Sequence, residues 1–183
     1  PRGVAALDDE RKKAATALHL VSSLALDGTL EDIGAEAVKF ARMSSFRGEL
    51  GQVVATPDGI LVGQGNGSDP FALGAAAEVL GDGKYFLKTE LEGEALYLSV
   101  LSWALGAYRF TRYKQAAPVP TLLVGENIDR ERLVREAVAE SRVRNMVNTP
   151  AEEMGPEEIE AEICLVAEKY GATVSVIKGI ALE

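Results

Sequence analysis

The chain has 183 residues and a mass of 19.5 kDa, with 19 Lys and Arg against 28 Asp and Glu, a formal net charge of −9 and a pI near 4.8. That length suits one domain, or one domain with part of a second; the 47% hydrophobic content excludes a disordered acidic tail, and the acidic average disfavours nucleic acid as a partner. A single cysteine, Cys164, and a single histidine, His19, exclude disulfide frameworks, Cys/His zinc sites and Cys/His nucleophile pairs.

No apolar run approaches the roughly 20 residues of a membrane span, and residues 1–15 (PRGVAALDDERKKAA) lack the apolar segment of a secretory signal. A cytoplasmic protein without a membrane partner is the expectation. Ala17 to Ser22 (ALHLVS) reads as a first strand and Asp27-Gly28 as a turn. Thr29 and Asp32 have capping-box spacing, and Leu30, Ile33, Ala37, Phe40 and Ala41 recur at helical intervals, which predicts a helix over 30–43. Gln52 to Thr56 and Ile60 to Val62 flank Pro57-Asp58-Gly59 and predict a hairpin. After Gly63-Gln64-Gly65-Asn66-Gly67, Ser68 or Asp69 caps a helix carrying Leu73, Ala76 and Val79, and Lys84 to Thr89 reads as a strand.

Residues 94–113 form the longest helical pattern. Leu98, Leu101, Leu105 and Tyr108 make one stripe; Leu96, Val100, Trp103, Ala107 and Phe110 make another nearly opposite, so two faces need cover. Between them Ser99, Ser102 and Gly106 are small enough for another backbone to approach, and Arg109, Arg112 and Lys114 sit where a helix C-terminus favours cations. The second stripe is covered either within the same domain or by another domain or subunit. Thr121 to Val124 then reads as a strand, and Asp129 opens a helix with Leu133, Val134, Ala137, Val138 and Ser141 on one side, broken at Asn148-Thr149-Pro150. Pro156 starts a last helix, bearing Ile159, Ile163 and Val166, which Gly171 ends before a strand at Thr173 to Ile177. One helix and one strand have no core of their own, so this final unit reads as incomplete and the chain as truncated.

Few residues here suggest chemistry. The Gly63 to Gly67 loop lies where a strand meets a helix and phosphates often bind, but Ser68 replaces the third glycine of a dinucleotide fingerprint; an ordinary strand-to-helix turn is favoured over an anion or nucleotide site. Glu152, Glu153, Glu157, Glu158, Glu160 and Glu162 are read as a solvated face matched to the helix dipole rather than a cation site. His19 is expected to be a core or hydrogen-bonded histidine, and Cys164 a buried, inert thiol.

Trp103-Ala104-Leu105-Gly106-Ala107-Tyr108-Arg109-Phe110 with Arg112-Tyr113, and then Val143 through Pro156 (VRNMVNTPAEEMGP), resemble the leucyl aminopeptidase (cytosol aminopeptidase) family. The likeness spans roughly residues 17–180 and is most specific over 103–156. It implies an α/β fold: a macro-domain-like amino-terminal domain over 1–125 with a mixed sheet flanked by helices, a connector helix over 126–150, and over 151–183 an incomplete helix-strand unit that starts a metallopeptidase catalytic domain. It also implies a homo-oligomer, a hexamer, that trims peptides from the N-terminus with two divalent ions, Mn or Zn, held by Asp, Glu and Lys. The family's Gly-Lys-Gly segment and Asn-Thr-Asp-Ala-Glu-Gly-Arg signature do not occur here; Asn148-Thr149-Pro150-Ala151-Glu152 has proline where the ligating aspartate would stand and lies too early. No catalytic, cofactor-binding or metal-ligating residue is therefore carried over, and the segment alone is expected to be inactive.

Overall fold

The structure, a computed structural model, describes residues 4–6, 12–67, 69–115 and 118–182. By contact it divides into two units, residues 1–141 and 142–183.

The first unit is built on a six-stranded mixed sheet. Its strands are β1 (Val4–Ala6), β2 (Thr16–Val21), β3 (Val53–Thr56), β4 (Gly59–Gly63), β5 (Lys84–Leu87) and β6 (Thr121–Val124), in the spatial order β1-β6-β5-β2-β4-β3. All neighbours are parallel except the β3-β4 hairpin, in which Thr56 stands opposite Gly59. The hairpin closes through Pro57-Asp58, and Gly59 takes φ +135°, where a Cβ would meet the Ala17 carbonyl oxygen at 2.6 Å. The strands predicted at 17–22, 52–56, 60–62, 84–89 and 121–124 all form, within a residue or two.

Alternation along the central strands divides the core into two layers. Leu18, Leu20, Ile60, Val62, Tyr85, Leu122 and Val124 face α3 (Ala72–Val79) and α4 (Gly93–Gly106), whose Leu73, Ala76, Val100 and Trp103 complete the larger cluster. Val21 and Leu61 point the other way, against Leu30 of α1 (Leu26–Ile33) and Ala37 and Ala41 of α2 (Ala35–Met43). Trp103 is fully buried, its ring 5.7 Å from that of Tyr85.

Several expectations need correcting. The helix predicted over 30–43 is two helices, because Gly34 leaves helical geometry at φ 148°, ψ 167°. Asp27-Gly28, Thr29 and Asp32 lie inside α1, so they form neither a turn nor a cap. The Ser68 cap lies outside the described residues, and Asp69 does not cap α3: that helix begins after Phe71 with no side-chain cap, and Asp69 Oδ1 accepts from the Phe71 amide at 2.8 Å. The helix predicted to reach residue 113 stops at Gly106, whose carbonyl finds another donor: Arg109 Nη1 donates to it and to the Tyr108 carbonyl just beyond the helix. Nη2 of the same guanidinium donates to the Ala77 and Glu78 carbonyls at the end of α3, so one cation ties two helix C-termini together.

The stripe of small residues on α4 packs within this unit, against α3. Ser99 and Ser102 are buried, and Gly106 meets Gly74 backbone to backbone. Leu98, Leu101 and Leu105 stay half-buried, with Leu98 and Leu101 on the margin of the larger core. Sheet and α3 thus cover one stripe and the small face, while the other stripe is covered only in part.

α5 (Arg130–Asn148) opens as expected, with Asp129 Oδ1 accepting from the Arg132 amide at 2.9 Å. Only Leu133 and Ala137 of its predicted apolar side are buried; Val134 and Val138 are exposed. In the second unit α6 (Pro156–Tyr170) starts with Pro156, receives a carboxylate cap from Glu158 Oε2 on the Gly155 amide at 2.9 Å, and ends at Gly171 in the left-handed region. The strand expected at Thr173 to Ile177 is not formed: residues 172–178 run without a ladder, since the described residues of this unit offer no second strand to pair with.

Candidate functional site

Four places carry residues that the sequence or the fold singles out. The first is the loop from Gly63 to Gly67, at the C-terminal ends of parallel β2 and β4, where α/β sheets commonly bind ligands. An anion site there needs free amides, and those of the four residues 63, 64, 65 and 67 are spent. The amide of Gly63 donates to the Gln52 carbonyl at 2.8 Å, Gln64 to Val21 at 2.9 Å, Gly65 to Gly48 at 2.8 Å and Gly67 to Gln64 at 3.1 Å. The Gly65 carbonyl in turn accepts from the Ser23 amide at 2.7 Å, the Ser23 hydroxyl at 2.8 Å and the Ser22 hydroxyl at 3.2 Å. A Cβ on Gly63 would collide with the Glu49 carbonyl, so this glycine exists for the close passage of the Gly48-Glu49 loop. The loop is a knot between three connections rather than a phosphate cradle.

The second place is the acidic run. Glu158 caps α6, Glu160 Oε2 takes the Lys178 ammonium at 2.8 Å, and Glu162 Oε2 takes Arg142 Nη1 at 3.0 Å. The Glu160 hydrogen bond holds the Lys178 ammonium above its ordinary range. Among the described residues no three His, Cys, Asp or Glu side chains converge as a metal site would require. Of the two lone candidates, His19 lies on β2, away from this run, and Cys164 follows it on α6. His19, half-buried on β2, places Nε2 3.3 Å from the Asp58 carbonyl oxygen, the hydrogen-bonded histidine that was expected. Cys164 is exposed, not buried: of α6 only Ala167 is buried, so the face that carries the thiol has no cover.

The third is a polar cluster that sequence reasoning missed. Tyr97 of α4 is buried and donates its hydroxyl to Glu136 Oε2 of α5 at 2.6 Å, while Arg132 Nε donates to Glu136 Oε1 at 2.9 Å and the guanidinium lies 4.1 Å from the Tyr97 ring centre. Burial first, and then the Glu136 bond, push the Tyr97 phenol up to about 12. The same phenol, followed by Arg132, holds the Glu136 carboxyl below its usual range. The only signal in the sequence was the i,i+4 spacing of Arg132 and Glu136; nothing pointed to Tyr97. The cluster pins α5 to α4, and it contains no nucleophile set against a base.

The fourth is the apolar surface of the second unit. Ile159, Ile163, Val174, Val176, Ile177 and Lys178 line a groove of about 570 Å³, and Val143, Met146, Ile163 and Val166 line a hollow of about 440 Å³ beside the Arg142–Glu162 pair. Ile163 is 51% and Ile177 63% exposed, values unusual for side chains of this kind on a helix and segment that face each other.

Comparison with known proteins gives a consistent answer. Residues 16–124 match the family described as M17 aminopeptidase, N-terminal domain. A probable cytosol aminopeptidase of Nocardia farcinica (strain IFM 10152) is 36% identical over an alignment of 126 residues that covers 60% of this chain and 24% of that protein. The crystal structure of a cytosol aminopeptidase from Coxiella burnetii superposes with a TM-score of 0.78 at 23% identity, over 98% of this chain and 40% of that one. The bottromycin maturation enzyme BotP, solved in complex with Mn, gives a TM-score of 0.61 at 22% identity, over 92% of this chain and 39% of that one. The chain thus spans about a quarter of the curated relative and two fifths of these solved structures.

Proposed function

The chain belongs to the M17 aminopeptidase family by its amino-terminal domain, and on that premise we propose that it is the non-catalytic amino-terminal portion of a metal-dependent, leucyl-type aminopeptidase that removes N-terminal residues from peptides. One observation carries the proposal: the matched residues 16–124 run from the start of β2 to the end of β6, the body of the sheet and both of its helical layers. In this reading residues 1–125 are the macro-like domain, 126–150 the connector, and 151–183 the beginning of the catalytic domain.

Two divalent ions, Mn or Zn, belong to the activity proposed for the whole enzyme. The described residues here do not fit them, because Glu158 caps a helix, Glu160 and Glu162 pair with cations, and among the described residues no three ligating side chains meet. No step of peptide hydrolysis is assigned to this segment. Its proposed work is architectural: to fix the assembly of a cytosolic homo-oligomer, a hexamer, or to limit access of peptides to the active site. The alternative of an ADP-ribose-binding module is not favoured, since the amides at 63, 64, 65 and 67 already donate within the loop knot.

Deleting residues 1–125 from the complete enzyme tests this role. A changed molecular mass in light scattering, or a shifted preference between dipeptide and longer substrates, is expected. An enzyme unchanged in both would overturn it.

A further inference from the structure

We draw no further inference here: the strongest candidate, the apolar groove between α6 and residues 172–178 with its exposed Ile163 and Ile177, carries nothing because no feature of the structure shows what covers it.

Discussion

The contact between α3 and α4 is so close that a single methyl group should decide whether the larger core assembles. A Cβ on Gly106 would lie 2.8 Å from both Cα and the carbonyl carbon of Gly74, and nearer still to the Gly74 oxygen. Both partners are helix backbone, so neither can rotate aside; α3 would have to retreat by about 1 Å to restore van der Waals separation. Leu73, Ala76 and Ala77, all fully buried, would move with it. Overpacking of this kind costs about 1–3 kcal/mol, against less than about 1 kcal/mol gained from alanine's helix propensity at the last helical position. Gly106→Ala should therefore destabilise the first unit by about 2 kcal/mol. Gly74→Ala should cost less than Gly106→Ala, because its Cβ comes no closer than 3.0 Å, to the Ser102 carbonyl oxygen, with the Ser102 carbonyl carbon and Cβ at 3.5 and 3.7 Å, and the propensity gain offsets part of the squeeze. Gly28→Ala, within α1 and with nothing inside 4 Å, should stabilise by about 0.5–1 kcal/mol. Urea unfolding followed by the fluorescence of Trp103, the only tryptophan and fully buried, reads all three. Equal midpoints for Gly106→Ala and Gly28→Ala would refute the close-packing argument.

Arg109→Met should cost about 2 kcal/mol, because three helix-end carbonyls and that of Tyr108 lose a charged donor, and Arg109→Lys should recover less than half of that, since one ammonium cannot span both helices; the same unfolding curves decide it. The lowered Glu136 carboxyl contributes stability above the ordinary glutamate value that is lost as pH falls through its folded value, so Glu136→Gln should flatten the acid limb of the stability curve. Tyr97 works in the opposite direction: its stabilisation is complete below the ordinary tyrosine value of 10.0 and is lost as pH rises toward about 12, and Tyr97→Phe should remove a phenol titrating at about 12 from an ultraviolet titration. An unchanged acid limb in the first variant, or an unchanged titration in the second, would contradict the hydrogen-bonded cluster. Amide exchange should be fast across residues 172–178 and slow in β2 and β4, and protection at Val174 and Val176 would show that a ladder forms there after all.

The sequence made five of the sheet's strands legible because they are short apolar runs bounded by strong punctuation: Pro57-Asp58-Gly59 fixed the hairpin, and TLLV between prolines and glycine fixed β6, whereas the three-residue edge strand β1 was missed. The small stripe Ser99, Ser102, Gly106 was also readable, although only the structure identifies Gly74 of α3 as the backbone it admits. Some helix ends were readable, such as Pro156 and Gly171 around α6, but the break at Gly34 and the end of α4 were not. Arg109 ends α4 by bonding carbonyls from α3 thirty-odd residues earlier, and Gly34 splits a pattern whose apolar spacing runs on without a break. The strand expected at 173–177 failed for a related reason, since β-propensity in TVSVI requires a neighbour that residues 142–183 do not contain among those described. Cys164 was misplaced because helical periodicity assigns a face, whereas burial depends on what lies against it. The Tyr97–Glu136 bond joins residues 39 positions apart and left no local trace.

The most direct test is to incubate the purified 183-residue chain with Mn²⁺ or Zn²⁺ and a chromogenic leucine amide, beside a complete M17 aminopeptidase as a positive control. No release above the metal-only blank is expected from this chain, at any metal concentration that activates the control. Metal-dependent turnover that copurifies with the polypeptide would contradict its assignment as the non-catalytic portion.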